Sequence, residues 1–282
     1  MKNGKSKKAS SSEKTPYLHG FSEVEQDRLR RQARLGEHFL YQNVNFSSAK
    51  HILEVGCGVG AQTEILLRRF PELRVSGIDV SEKQLQAAED FLSSIAYTKG
   101  RYDLKKMDAS KLTFATGSFD GAFISWVLEH VPDPERVLNE VRRVLKPGST
   151  VVVNEVMNFT FFLEPYSPNV WKYWMAYNDY QIDEAKGDPF VGAKLGNFLL
   201  AQGFRNIETE VKVRHLDNRE PGRRRDFIAY FSGLLLSAAE RLIKKGVVSK
   251  ELVARAEKEL DQVAHDPNAT LFFAFMQARA LI

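Results

Sequence analysis

The sequence predicts an α/β fold built on a parallel sheet, on three observations. An apolar run from His51 to Val55 leads straight into glycines at 56, 58 and 60. A segment with helical spacing, Ala61 to Phe70, follows at once, with apolar residues at 65, 66, 67 and 70. Strand and helix signals then alternate as far as residue 157, as a layered α/β domain requires.

Ahead of that alternation, Ser22 to about Leu40 reads as an amphipathic helix, opened by a capping box of Ser22 with Glu25. The first strand, 51–55, ends at a glycine turn where a ligand can meet bare backbone. Strand, glycine turn and helix together open a nucleotide-binding βαβ unit. Glu54 lies inside this strand, where dinucleotide folds favour an apolar residue, and its carboxylate could face a cationic ligand. The second strand, Arg74 to Val80, carries Asp79 twenty-one residues after Gly58, placed to accept hydrogen bonds from ribose hydroxyls. Gly56, Gly58 and Ala61 also fit the dinucleotide fingerprint, so the turn alone does not choose the nucleotide. Ser81 with Gln84 starts a helix ending near Ile95. A third strand closes at Lys106-Met107-Asp108-Ala109, with an acid placed for an adenine amine. A fourth runs through Phe119 to Trp126, a helix from Pro134 to Leu145, a Lys146-Pro147-Gly148 turn, and a fifth strand from Ser149 to Val156.

Residues 158–190 lack a regular pattern and attach where a lid or substrate-pocket insertion would sit. Val191 to Gly203 reads as a helix with Gly203 past its end. Arg205 to Leu216 reads as a strand, 222–245 and 249–264 as two helices, and Ala269 to Leu281 as the last strand. There is no internal repeat.

The chain has 282 residues, 43% of them hydrophobic, and a formal net charge of +4. Five lysines and one glutamate within residues 1–14 account for that +4, which leaves the remainder formally neutral. Nucleic-acid binding demands a dense basic face, and the neutral body argues against it. Residues 1–15 read as a disordered basic tail. No run approaches a membrane span and no apolar signal core is seen, so the cytoplasm is the expected compartment. Cys57 is the single cysteine, which excludes an internal disulfide.

The pieces LEVGCGVG, GIDVS, MDAS, FDGAFISWVLEHV and VLNEVRRVLKPGSTVVV, in this order and spacing, resemble the class I S-adenosylmethionine-dependent methyltransferases over roughly residues 50–157. The subtype is similar to the small-molecule enzymes related to those of ubiquinone and menaquinone biosynthesis. The resemblance implies a Rossmann-like seven-stranded sheet in the order 3-2-1-4-5-7-6, its last strand antiparallel, with an N-terminal helix and helical insertions. A single domain would span 16–282, with the core at 50–157, a lid or substrate insertion at 158–190 and a helical insertion at 218–268.

With that resemblance, S-adenosylmethionine is the expected cofactor. Gly56, Cys57 and Gly58 would let main-chain amides approach its amino-acid end, and Glu54 would meet its ammonium or else be tied to nearby backbone. Asp79 would take the ribose with Val80 beside adenine, and Asp108 with Ala109 would take the adenine amine. Ser125 and Trp126 would face the methionine part. Tyr17, His19 and Gln32 could close over the cofactor from the N-terminal side. His130 is a candidate general base, or else orders its loop and binds cofactor. Glu155 could orient or deprotonate an acceptor, or be structural. Phe159, Tyr166, Trp171, Trp174 and Tyr177, with Trp126, could line a pocket for a flat or apolar acceptor, although aromatics at helical spacing also serve packing. Arg223, Arg224 and Arg225 could bind an anion or form a solvated helix start. No metal-ligand spacing is evident. Leu234, Leu235, Leu236 and Leu242 supply apolar area that a homodimer could bury.

The expected activity is methyl transfer to N, O or C of a small molecule. The alternatives are a protein acceptor, a nicotinamide-dependent oxidoreductase and a non-catalytic cofactor-binding module. Ser125-Trp126-Val127-Leu128 lacks the Asn/Asp-Pro-Pro-aromatic pattern of enzymes that methylate bases in DNA. The Lys-Pro-Gly turn, and the absence of a Tyr-x-x-x-Lys pair, count against the oxidoreductase.

Overall fold

The computed structural model describes residues 18–20 and 22–282. Tyr17 and the tail over 1–15 lie outside the described residues. The elements are α1 (Glu23–Leu40), β1 (His51–Val55), α2 (Ala61–Arg69), β2 (Arg74–Asp79), α3 (Glu82–Ser93), β3 (Tyr102–Lys106), β4 (Phe119–Ser125), α4 (Pro134–Val144), β5 (Leu145–Val156), β6 (Phe162–Glu164), α5 (Pro168–Asp183), α6 (Leu195–Ala201), β7 (Arg205–Leu216), α7 (Pro221–Ser237), α8 (Ala239–Lys244), α9 (Lys250–His265) and β8 (Thr270–Leu281).

The sheet runs β3-β2-β1-β4-β5-β8, with β7 on the far edge of β8 and β6 beside its start. β1 to β5 are parallel and β8 is antiparallel to β5. After Val156 the chain makes one 3₁₀ turn, Asn158–Thr160, and β6 then takes up the lane of β5, pairing Phe162–Glu164 with Thr270–Phe272. The sheet therefore has seven lanes in the expected order, and the eighth strand is a three-residue extension of the fifth lane.

β1 is buried on both faces from Ile52 to Val55, as an interior parallel strand must be. Its alternate residues feed two cores. Leu53 and Val55 join Ile124, Val141 and Leu199 against α4 and α6. Ile52 joins Ile65, Leu66, Phe123 and Val152 against α1 and α2. Each such side chain contributes about 1.5–3 kcal/mol by leaving water. The helix starts are capped locally: Ser22 Oγ accepts from Glu25 N (3.2 Å), Ser81 Oγ from Gln84 N (3.3 Å) and Asp133 Oδ1 from Arg136 N (2.9 Å).

A third core lies off the sheet, between α5, α7 and α9, and gathers Tyr173, Trp174, Tyr177, Ile228, Phe231, Leu260 and Leu271. Here three expectations are corrected. Residues 158–190 contain a sixteen-residue helix, α5, which the sequence hides because it is apolar on several sides. The expected helix over 222–245 stops at Ala238 and resumes as α8. The expected helix over 191–203 begins as a 3₁₀ turn, Val191–Lys194, before α6. Arg224 is also not a solvated residue. It is buried, and its guanidinium donates to the carbonyls of Asp266 (2.7 Å) and Ala269 (3.1 Å), just past the end of α9. A cation there meets the negative end of that helix.

Candidate functional site

A cavity of about 260 Å³ opens at the carboxyl ends of β1, β2 and β4 and runs beneath α1 and α7. Its position follows the rule that open α/β sheets bind ligands where the strand order reverses.

One end is built from short turns. Gly56 and Gly58 have φ of +69° and +51°, the left-handed region that glycine occupies without penalty. A Cβ at Gly56 would lie 2.4 Å from Val127 Cγ2, whereas one at Gly58 would meet nothing within 4 Å. The turn therefore packs tightly behind and leaves open space in front. Three of its amides already have protein partners, Cys57 N donating to the Ile78 carbonyl (2.9 Å). Gly58 N donates to Asp79 Oδ2 (3.0 Å) and Gly60 N to the Cys57 carbonyl (2.9 Å). Asp79 also accepts from Ser81 N (2.8 Å), so one carboxylate pins the end of β2 to the glycine turn while lining the cavity. Burial raises its pKa, and the Ser81 and Gly58 amides oppose that shift. Val80 stands beside it, half exposed.

Ser125 and Trp126, at the end of β4, also line the cavity. Trp126 has φ of +60°, a strained conformation for a large side chain. Two contacts hold it there. Its amide donates to the Asn154 carbonyl (3.0 Å), and Glu155 Oε1 accepts from the amides of Val127 (2.9 Å) and Leu128 (2.6 Å). Ser125 Oγ and Trp126 Nε1 are buried without a protein partner. Polar atoms so placed in a cavity wall call for a ligand or water.

Glu155 is thus corrected. It is fully buried, is not part of the cavity wall, and positions the loop that carries Trp126 and His130. Burial, reinforced by the nearby Glu129 charge, pushes its pKa up to about 8. Glu54 likewise sits behind the wall. It is 2% exposed and accepts from Thr63 Oγ1 at 2.5 Å, and burial pushes it up to about 8 against that hydrogen bond. Asp108 and Ala109 do not line the cavity either. Asp108 is exposed, and its carboxylate accepts from the Ser110 amide (2.9 Å) and hydroxyl (2.7 Å), an Asx turn.

His19, Gln32 and His130 line the cavity, with Cys57, Trp174 and Tyr177. Both ring nitrogens of His19 are engaged, by Tyr177 Oη (3.0 Å) and Ser237 Oγ (2.6 Å). Burial, with lesser effects from Arg28, His130 and Arg241, keeps its pKa well below the usual histidine value. His19 therefore serves as a neutral clasp between α5 and α7. Gln32 Oε1 accepts from Arg28 (2.9 Å), whose guanidinium forks onto Glu25 (2.6 and 2.7 Å).

The other end is aromatic. Phe39 of α1, Phe227, Tyr230 and Phe231 of α7, and Phe273 and Phe275 of β8 form its walls. These residues were missed, although 227, 230, 231 and 234 have the spacing of one helix face. Of the expected aromatic set, Phe159 and Tyr166 lie in solvent at 60% and 69% exposure. Trp171 packs on Phe161 away from the cavity. Among the described residues no cluster of His, Cys, Asp and Glu could hold a metal, and no helix is long and apolar enough to cross a membrane.

The residues present fit S-adenosylmethionine. The open face at Gly58 admits backbone approach, Asp79 keeps lone pairs for hydroxyl donors, and the orphaned Ser125 Oγ and Trp126 Nε1 seek partners.

Residues 53–153 match a family model described as a methyltransferase domain. The chain is 30% identical over 176 residues to the O-methyltransferase resE of Aspergillus sclerotiorum, covering 62% of this chain and 61% of that one. It is 30% identical over 139 residues to the demethylmenaquinone methyltransferase of Desulfitobacterium hafniense (strain Y51), covering 49% of this chain and 52% of that one. The chain thus spans about half to three fifths of these relatives. Among solved structures, the [4+2]-cyclase SpnF shares the fold, with a TM-score of 0.55 at 23% identity, over 90% of this chain and 82% of that one.

Proposed function

We propose that this chain, a member of the class I S-adenosylmethionine-dependent methyltransferases, moves a methyl group from that cofactor to an N, O or C atom of a small apolar or aromatic molecule. The observation that carries the reading is one continuous cavity with a polar, glycine-lined end and an aromatic end. The cofactor's sulfonium supplies an activated methyl group, so the protein has mainly to orient an acceptor and exclude water. Asp79 holds the ribose end through the lone pairs that Gly58 and Ser81 leave free. Ser125 and Trp126 border the remainder. The rings of Phe39, Phe227 and Phe231 shield the acceptor from solvent. His130, which also lines the cavity, is the side chain assigned to receive an acceptor proton.

A small acceptor is favoured over a protein side chain because α7 and α1 roof the cavity. The test is release of S-adenosylhomocysteine in the presence of phenols, aromatic amines and hydroquinones. Turnover on at least one of them is expected. Tight cofactor binding with no turnover on any small acceptor would favour the non-catalytic module.

A further inference from the structure

Arg214 is the feature of the cavity that methyl transfer leaves unexplained. It lies on β7, opposite Phe273 of β8, and its guanidinium carbon sits 3.6 Å over the Phe39 ring and 6.0 Å from that of Phe227. All four side chains line the cavity. A guanidinium has five N–H donors. One of these reaches the Leu35 carbonyl, at 3.3 Å from Nη2, and Nε is buried with no acceptor.

The neighbouring charges do not neutralise it. Glu220 is taken by Arg223 (2.7 Å), Arg28 by Glu25, and Asp79 belongs to the opposite end. Among the described residues no carboxylate forms an ion pair with Arg214. Desolvation lowers its pKa to about 10, which still leaves it charged at neutral pH. An unpaired cation in an aromatic pocket repels a cationic acceptor and attracts an anionic one. A carboxylate can accept two parallel bonds from the fork.

We propose that the aromatic end of the cavity is an anion subsite, in which Arg214 anchors the carboxylate of an elongated apolar methyl acceptor. The elongation follows from the sheet. β7 stands four lanes from β1, about 19 Å at the backbone by ordinary strand spacing, and Arg214 leans from it over Phe39 and Leu35 of α1, so it reaches the cavity from the edge away from the glycine turn. The acceptor is therefore methylated at an atom remote from its carboxylate. This inference rests on the proposed function for the identity of the other end.

The test uses the full chain and two matched probe series: 1-naphthoate, its primary amide and 1-naphthylmethylammonium; dodecanoate, its primary amide and dodecylammonium. Each is titrated with and without saturating S-adenosylhomocysteine. In at least one series the acid should bind tenfold or more tighter than the amide and the ammonium. Arg214→Gln should abolish that preference, Arg214→Lys should retain part of it, and S-adenosylhomocysteine affinity should stay within twofold in both variants. Equal affinity of acid and amide in both series, an ammonium that binds best, no measurable binding of either acid, or a preference that survives Arg214→Gln would overturn the subsite. Failure of S-adenosylhomocysteine to bind would instead overturn the methyltransferase reading, because the acid preference is read on the protein alone as well.

Discussion

The two ends of the cavity are made in different ways. The polar end comes from three turns that follow β1, β2 and β4, each marked by its own residues and pinned to a neighbouring strand: glycines at positive φ, an aspartate that accepts from Ser81 and from Gly58, and Trp126 held by Asn154 and Glu155. The aromatic end is assembled from α1, α5, α7, β7 and β8, so that Phe39 packs on Phe275, more than two hundred positions away. Turn chemistry is short-range and tolerates little change. A wall of packed rings is long-range and can be rebuilt with other side chains of like volume. It follows that cofactor binding and acceptor choice should respond separately to mutation.

The largest effect that separates them is expected at Phe231, which is buried and stacked on Phe161 with centroids 4.6 Å apart. Phe231→Ala should cost about 3–5 kcal/mol of stability. Below its melting point the variant should bind S-adenosylhomocysteine within twofold of the parent. A large loss of cofactor affinity in the folded variant would break the separation.

Asp79→Ala should do the reverse. Removing a charge-assisted contact should weaken S-adenosylmethionine binding by about 1.5–3 kcal/mol, roughly 10- to 150-fold. Affinity unchanged in the folded variant would show that Asp79 serves the turn alone.

Glu155 gives a pH test of the wall between the two ends. Its folded pKa of about 8 lies above the ordinary carboxyl value, so the folded state holds the proton more tightly than the unfolded one. Its contribution to stability is therefore present at low pH and is lost as pH rises from about 4.5 to about 8, by up to about 1.4 kcal/mol per pH unit. Glu155→Gln should make the melting temperature less dependent on pH across that window. An identical slope in the variant would remove Glu155 as its source.

The smallest effect is expected outside the cavity. Phe159→Ala and Tyr166→Ala alter exposed rings and should change stability by no more than about 0.5 kcal/mol. They should leave turnover on any identified acceptor within twofold. A tenfold fall would mean that the segment after β5 folds over the acceptor.

The same division governs what could be read from the sequence. The strands from His51 to Val156, the capping serines and the glycine turn all carry local signatures, and they appear within a residue or two of their expected bounds, apart from the end of β3 and the start of β5. The lane order rested on family resemblance, and only the three-residue β6 was unforeseen. Within the site, Asp79, Ser125 and Trp126 were legible because each ends a strand at the switch point. For Glu54 and Glu155, near the ends of their strands, the sequence left a ligand role and a structural role both open. Period-two alternation does not tell a cavity from the core behind it, and both carboxyls turned inward. Phe159 and Tyr166 were chosen for their place in the chain, whereas the packing of α5 on α7 and α9 decided which rings point inward. Arg214 had no local signal. It sits among alternating charges on an edge strand, and only the fold brings it over Phe39.

The most direct test of the central claim is calorimetric titration of the purified chain with S-adenosylmethionine, S-adenosylhomocysteine and NADH. Binding of the first two at micromolar concentration, with none of the third, is the predicted result. Binding of NADH alone would contradict the account and return the glycine turn to the dinucleotide reading.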